Sequence, residues 1–357
     1  MKVYIKFFTI LFLKSFFYVM AIMLSLVFLL NLLSELEFFK NIEVSSYFPL
    51  FLSLLNSPSM IFEMFPFIFF ITAQLFFIKL FDNNEIDTLK YSGLKNTKIL
   101  MFLGIISFIS GVLAVLIFYN FSSNLKNVYM NLKSPHTNDG KYLAVVTKNG
   151  LWIKDLINKK TLIVNSSKID KNYLIDNFIT EFDNDFKVSR NIKSNKIDIT
   201  NKKWIIHDAI IYEKNKKNIS GTLEIDTHFN YETIQSLYSN LSSLSIFELY
   251  ELRQNYKSLG YSITEVNLQM LKLTSYPIYF FLMTLFSSLL MFRIKYQYNT
   301  ALKISVGLFL TVIIYYLNNF FVVLGSTERI PLIISVFFPL LLLTIINSFM
   351  LERVNER

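Results

Sequence analysis

Apolar and polar residues are distributed along this chain on two different length scales. Six predominantly apolar runs each approach the ~20 residues that a helix needs to cross the hydrocarbon core of a bilayer. They fall into two groups of three, separated by a long charged stretch, at Phe16–Leu33, Met60–Leu80, Ile99–Asn120, Leu273–Phe292, Ile304–Leu324 and Pro331–Leu351. The pattern predicts six transmembrane helices in a 3+3 arrangement around one inserted domain.

The inserted stretch has a shorter period. Its β-branched and aromatic residues alternate with polar ones, which is typical of strands. The predicted strands are Tyr142–Thr147, Leu151–Lys154, Thr161–Val164, Tyr173–Phe182 and Trp204–Tyr212. Asn149-Gly150 and Asp139-Gly140 have the sequences of tight hairpin turns. Many short strands at this spacing favour a sandwich or jelly roll over a helix-covered parallel sheet.

Two further segments predict shorter helices. Ser245 and Glu248 fit a capping box that opens the amphipathic segment Ile246–Leu259, which Gly260 is well placed to end. Phe48–Leu55 is apolar but too short to span a bilayer, and it predicts an interfacial helix. The domains expected are transmembrane helices at 1–120, the β-domain with its closing amphipathic helix at 121–262, and transmembrane helices at 263–357.

Basic residues of the short loops concentrate on one side of the predicted helices. That side receives Lys2, Lys95 and Arg353 among others, whereas the opposite short loops contain only Lys40 and Arg329 as basic residues. By the positive-inside rule, both termini are cytoplasmic and the inserted domain is periplasmic. We therefore predict an α-helical polytopic membrane protein with six transmembrane helices and an inserted periplasmic all-β, jelly-roll-like domain.

Composition agrees with a membrane protein and excludes several kinds of site. Hydrophobic residues make up 53% of the chain, and the mean hydropathy is +0.43. There is no cysteine, no glycine-rich nucleotide-binding motif, and no metal-binding spacing around His136, His207 or His228. Despite the net charge of +9, the basic residues do not form one stripe typical of nucleic-acid binding. We expect no enzyme activity, no cofactor or metal, and no nucleic-acid partner.

Charged residues within the predicted spans are scarce, so an ion-coupled carrier is disfavoured and any transport would draw energy from a partner. The loop between the second and third spans is the candidate contact for that partner. Acidic residues near its start and Gly93 near its end predict a helix at 83–93. Ile86 and Leu89 share a face that would fit a groove in a soluble subunit. The alternative is a solvated loop helix.

Several motifs of this chain resemble those of the LptF/LptG permease family, the membrane subunits of an ATP-driven lipopolysaccharide exporter. Asn84-Glu85 followed by Tyr91-Ser92-Gly93 is similar to the cytoplasmic coupling motif of that family, and Gly150–Asp155 (G-L-W-I-K-D) is similar to a strand of its LptG branch. Further similar segments are Glu63–Pro66, Asn267–Met270, Tyr276-Pro277, Tyr315–Asn319, Gly325, Ile330-Pro331 and Pro339. They occur in the family's order along the whole chain.

The resemblance implies a role and a set of partners. An LptB-like ATPase dimer would bind ATP, an LptF-like paralogue would be the second permease subunit, and an LptC-like periplasmic protein would accept the lipopolysaccharide. The protein would lie in the inner membrane of a Gram-negative bacterium. The ATPase coupling helix would be formed by Asn84, Glu85, Ile86, Leu89 and Gly93, with Glu85 as the principal contact.

The chain departs from the family at the outer end of the first span. Members often have lysines there, whereas this sequence has Asn31, Glu35 and Glu37, with only Lys40 basic. Lys40 is therefore the candidate contact for a lipopolysaccharide headgroup, and simple snorkelling is the alternative.

Two other classes of protein remain open. One is the permease of another ATP-binding-cassette lipid or lipoprotein exporter, although such permeases place their large domain after the first span rather than the third. The other is a non-transport membrane scaffold with a periplasmic partner-binding domain.

Overall fold

The computed structural model describes residues 3–83, 85–133, 136, 151–157, 160–170, 172–183, 185–213, 216–231, 234, 240–258, 262–293 and 299–355. The chain divides into two compact units. Met1–Lys126 and Thr264–Arg357 form the helical unit, and Asn127–Ile263 form the second unit, which is inserted into the first along the chain.

The membrane helices follow the predicted order. The helices and one π-helical segment are α1 Val3–Phe38, α2 Tyr47–Glu63, α3 Phe65–Asp82, α4 Glu85–Tyr91, α5 Asn96–Leu113, the π segment Ala114–Tyr119, α6 Asn120–Lys133, α7 Ile246–Ser258, α8 Thr264–Arg293, α9 Thr300–Ser326 and α10 Leu332–Asn355. Within the described residues, six helices are long and apolar enough to cross a membrane, with α5, the π segment and α6 counted as one. The six predicted spans are therefore confirmed.

Two helices differ in extent from the predicted apolar runs. The first helix begins at Val3 and ends at Phe38, so it extends beyond the predicted run Phe16–Leu33 at both ends. The predicted run Met60–Leu80 is divided at Met64, where α2 ends and α3 begins with a proline in its first turn. The interfacial helix expected at 48–55 is consequently longer and extends to Glu63.

Helix α8 is the centre of the helical unit. Its Phe280 stacks on Phe69 of α3, with ring centroids 4.7 Å apart. On the α5 side, a Cβ added to Gly111 would lie 2.9 Å from the Phe280 ring and 3.0 Å from the Pro277 backbone, so only glycine allows this approach. In the most apolar 18-residue stretch of each helix, the buried share is 72% for α8, against 17% for α1 and 11% for α9. Burial is therefore very uneven among the spans.

The second unit contains a six-stranded antiparallel sheet whose strand order follows the sequence. The strands are β1 Leu151–Ile157, β2 Lys160–Asp170, β3 Tyr173–Phe182, β4 Val188–Asp198, β5 Lys203–Glu213 and β6 Lys216–Asp226. The predicted all-β insert is confirmed, and β1, β2, β3 and β5 contain predicted strands. The expected strand Tyr142–Thr147, the turns at Asp139-Gly140 and Asn149-Gly150, and Gly260 lie outside the described residues.

A line of interrupted pairing crosses this sheet at one level. The strand ladders skip residues that lie opposite one another in successive strands, namely Ser167, Asp176, Asn195, Asp208 and Gly221. Asp176 and Asp208 have left-handed backbone angles, with φ of 52° and 51°. Side chains of a strand alternate between the two faces of the sheet, and this alternation shifts by one residue at the line. Leu174 and Ile179 of β3, on either side of it, therefore both face the same core. The interruption therefore divides β2 to β6, but not β1, and the residues on both sides of it contribute to one hydrophobic core, consistent with a jelly-roll-like interior.

Helix α7 begins with the predicted capping box. The backbone N–H of Ser245 donates to Oε2 of Glu248 at 2.7 Å, and the N–H of Glu248 donates to Oγ of Ser245 at 3.3 Å. Each side chain thus satisfies a backbone donor at the start of the helix.

Candidate functional site

Helix α4 joins α3 to α5 as a short, well-terminated segment. Gly93 follows it with φ of 81°, and its N–H donates to the Lys90 carbonyl at 2.9 Å. The N–H of Leu94 donates to the Leu89 carbonyl at 3.0 Å. These two bonds form a Schellman motif, which requires a left-handed residue that glycine adopts at little cost. Asn84 lies outside the described residues.

The two apolar residues that the sequence assigned to a docking face differ in their environment. Ile86 is only 1% exposed, so it anchors α4 within its own chain. Leu89 is half-buried, and Tyr91 is 92% exposed. An exposed docking role does not fit Ile86, because the helix had to bury one face against the membrane helices. Thr88, Lys90 and Tyr91 form the exposed side instead.

Glu85 opens α4 with an incompletely satisfied carboxylate. Its Oε1 accepts a long hydrogen bond of 3.4 Å from Nδ2 of Asn83. Its Oε2 is shielded from solvent and has no hydrogen bond among the described residues. A buried carboxylate oxygen normally has a donor, so the described residues leave the start of α4 incompletely satisfied.

The contacts near the C-terminal end of α1 explain part of the reason why this sequence has Asn31 and Glu35, and not lysines, in that region. Asn31 donates from Nδ2 to the Ser53 carbonyl at 3.1 Å and accepts from Nδ2 of Asn56 at 3.2 Å. Glu35, one turn further along, is also buried. Asn31 therefore ties α1 to α2, whereas Lys40, in the turn after α1, is exposed.

The G-L-W-I-K-D strand contributes a structural anchor to the β-domain. Asp155 is 3% exposed; its Oδ2 accepts the backbone N–H of His228 at 2.9 Å, and its Oδ1 lies 2.7 Å from Nδ1 of the same histidine. The next residue, Phe229, accepts a hydrogen bond of 2.7 Å from Nε1 of Trp204. Asp155 thus fastens the chain after β6 to β1. Trp152 of the same motif is 54% exposed.

Glu181 of β3 is a second buried carboxylate. Nζ of Lys160 and Nε of Arg190, on the two neighbouring strands, lie 2.7 Å and 2.5 Å from its oxygens. Burial alone would raise the pKa of Glu181, but the hydrogen bonds and charges of Lys160 and Arg190 outweigh burial and hold the pKa below its usual range. The cluster binds three strands together.

Sequence reasoning did not find these anchors. A signal for Glu181 was present, because it shares the inward alternation of β3 with Asn177 and Ile179. No sequence spacing indicates the Asp155–His228 pair, whose members are 73 residues apart. Among the residues that the structure describes, no group of three or more histidine, aspartate or glutamate side chains is placed to hold a metal ion.

Comparison with known proteins identifies the family. A search of the curated proteins gave no match. The family model described as "Lipopolysaccharide export system permease LptF/LptG" matches residues 6–353, which include both groups of membrane helices and the whole inserted domain. The match does not separate the LptG branch from the LptF branch. With six membrane helices and one inserted β-domain, this chain belongs to the LptF/LptG family of lipopolysaccharide export permeases.

Proposed function

We propose that this protein is a permease subunit of an ATP-driven transporter that extracts lipopolysaccharide from the outer leaflet of the inner membrane. The family match over residues 6–353 carries the proposal, because it includes the helices and the inserted domain together. The termini and α4 face the cytoplasm, and the β-domain lies in the periplasm, as the loop charges favour. The features of the G-L-W-I-K-D strand favour the LptG branch.

The energy comes from a separate ATPase dimer of the LptB type. Helix α4 offers that subunit an exposed face with Tyr91, and the acidic Glu85 is its first residue. Ile86 anchors α4 to the helical unit, and only two residues separate α4 from the end of α3. A movement imposed on α4 is therefore passed to the membrane helices.

A second permease subunit of the LptF type completes the transport path. Helices α1 and α9 are the least buried spans, so each presents an apolar face to a paralogous subunit or to acyl chains. Lys40 lies in the exposed turn after α1, where a lipid A phosphate would meet a cation. The β-domain then passes lipopolysaccharide to an LptC-like acceptor of the periplasmic bridge.

Charge reversal at Glu85 tests the ATPase contact. With Glu85→Arg, we expect lipopolysaccharide-stimulated ATP hydrolysis in the purified complex to fall by about tenfold or more, since placing like charges together in a contact costs well above the ~1.4 kcal/mol that corresponds to tenfold. Glu251→Arg, on the exposed side of α7, is the matched control and should leave the rate unchanged. Normal stimulation in Glu85→Arg, or no ATPase co-purifying with the parent, would contradict the coupling role.

Depletion of the protein tests the cargo. Newly made lipopolysaccharide should accumulate at the inner membrane when the protein is depleted, as measured by pulse labelling and membrane fractionation. Normal delivery to the cell surface would exclude lipopolysaccharide as the cargo.

A further inference from the structure

Helix α9 is held to the rest of the helical unit along a narrow stripe. Three of its four buried residues, Lys303, Gly307 and Thr311, are four residues apart and therefore lie on one face. The fourth, Gly325, lies near its end, and the remainder of the helix is largely exposed. With 11% of its most apolar stretch buried, α9 is the least buried of the six spans.

The contacts on α3 repeat every seven residues, so they also lie on one face. We call this set of contacts the α3–α9 seam. Phe67 packs against Tyr315 with ring centroids 5.5 Å apart, and Nζ of Lys303 lies 6.0 Å from the ring centroid of Phe81. Between them, Nε2 of Gln74 donates to the Lys303 carbonyl at 3.0 Å.

Gln74 is the polar centre of the seam and is fully buried. A Cβ added to Gly307 would lie 2.1 Å from Nε2 of Gln74, so the amide occupies the space that the glycine leaves. Its Oε1 is buried and has no hydrogen bond among the described residues. Leucine would fill such a site without the cost of burying an amide in hydrocarbon, whereas a hydrogen-bonded amide fixes one register between two helices.

The position of α3 links this seam to α4. Helix α3 ends at Asp82, and α4 begins at Glu85. Gln74 lies about two helical turns before the end of α3. The same helix thus contacts the sparsely buried α9 along its flank and leads into α4, the helix proposed to meet the ATPase.

We propose that Gln74 is a positioning residue that transmits displacement of α4 to α9. Nucleotide-driven movement of α4 shifts α3, and the Gln74–Lys303 hydrogen bond makes α9 follow in register. The inference rests on the proposed function and adds to it the contact through which ATP binding moves the least buried wall of the permease.

Asn347 provides a matched control. Its Nδ2 donates to the Leu282 carbonyl at 3.0 Å, and its Oδ1 is likewise buried without a hydrogen bond among the described residues. This amide joins α10 to α8, so Asn347→Leu removes an equivalent bond and leaves the α3–α9 seam intact.

The test uses the complete complex, with its ATPase and second permease subunit, in lipid nanodiscs. Because the chain has no cysteine, spin labels at Phe309→Cys of α9 and Phe349→Cys of α10 report one distance, measured by pulsed electron resonance with and without ATP. We expect ATP to shift this distance in the parent and in Asn347→Leu. In Gln74→Leu the shift should be lost while ATPase binding and ATP hydrolysis persist.

A second pair of variants separates the hydrogen bond from packing. Gly307→Ala displaces the Gln74 amide and should abolish the shift, and Gln74→Ala combined with Gly307→Ala restores room without the bond and should still lack it. Return of the shift in the double variant would show that only packing matters and would overturn the proposal. A shift retained in Gln74→Leu, or lost equally in Asn347→Leu, would also overturn it.

Failure of the proposed function has a different signature. If no ATPase accompanies the parent complex, the coupling function itself is wrong, and the inference falls with it. If the ATPase binds and hydrolyses ATP but the parent shows no distance change, the proposed function survives and only the role of the seam is refuted.

Discussion

Helices α8 and α9 are similar in length, at 30 and 27 residues, yet they differ sharply in burial. Helix α9 is the more hydrophobic of the two, yet only 11% of its most apolar stretch is buried. The corresponding buried share of the less hydrophobic α8 is 72%. In a bilayer, lipid replaces the core as the apolar environment, so high hydropathy marks exposure to lipid, and small or hydroxyl residues mark packing. Ser287 and Ser288 of α8 are fully buried in this way. The comparison separates a packed central helix from one whose surface is largely exposed.

The largest expected effect is truncation of the central aromatic side chain. Phe280→Ala should lower the free energy of unfolding by about 3–5 kcal/mol, because it leaves a cavity against the stacked Phe69. Phe309→Ala removes the same atoms from the exposed face of α9 and should change it by less than about 0.5 kcal/mol. Thermal unfolding in detergent measures both. Equal losses would show that the two helices do not differ as described.

A smaller effect is expected from adding one methyl group where α5 meets α8. Gly111→Ala should cost about 1–3 kcal/mol, because the Cβ would approach both the Phe280 ring and the Pro277 backbone. Gly221→Ala, where a Cβ meets nothing within 4 Å, is the control and should not destabilise the protein. The same unfolding assay applies, and a tolerated Gly111→Ala would indicate a looser contact around α8.

The contrast extends to the β-domain, where β3 is buried and β6 is largely exposed. Glu181→Gln should lose about 1 kcal/mol at neutral pH, as it weakens bonds to two partly solvated cations. Since the folded pKa of Glu181 is depressed, this contribution is present above the unfolded value of about 4.3 and is lost as the pH falls through the folded value.

The exposed pair Lys203–Glu224 serves as the control for that experiment. Glu224→Gln should give no measurable change, because both side chains are more than half exposed. Hydrogen exchange of β2, β3 and β4 across a pH series measures the two variants. An acid dependence that persists unchanged in Glu181→Gln would assign it to other groups.

The smallest effect on stability is expected on the exposed face of α9. A photoreactive side chain in place of Phe309 should leave folding unchanged and cross-link to the second permease subunit or to acyl chains. Mass spectrometry identifies the products. Cross-links confined to this chain's own helices would mean that the face is covered from within.

The membrane spans and the helix cap could be predicted from the sequence, because one dominant physical effect produces each pattern. Apolar runs near membrane thickness predicted the six spans, and the Ser245–Glu248 spacing predicted the start of α7. Strands β4 and β6 were not named, since their exposed sides are so polar that the alternation is weak. The break at Met64 was hidden within one continuous apolar run.

The buried polar contacts were not readable, because each depends on residues far apart along the chain. Gln74 and Lys303 are separated by 229 positions, and the sequence around either residue does not indicate a contact with the other. Ile86 shows a related limit of sequence-based prediction. Its apolar character was recognised, but whether its own chain or a partner covers it is decided by tertiary packing.

The π segment between α5 and α6 sets a rotational phase within one long helix. An extra residue in such a segment turns everything beyond it by about 100° relative to a regular α-helix. Tyr119, at its end, is buried against Phe62 with ring centroids 5.1 Å apart. Regular α-helical geometry through Ala114–Tyr119 would therefore turn Tyr119 by about 100° and move its ring away from Phe62.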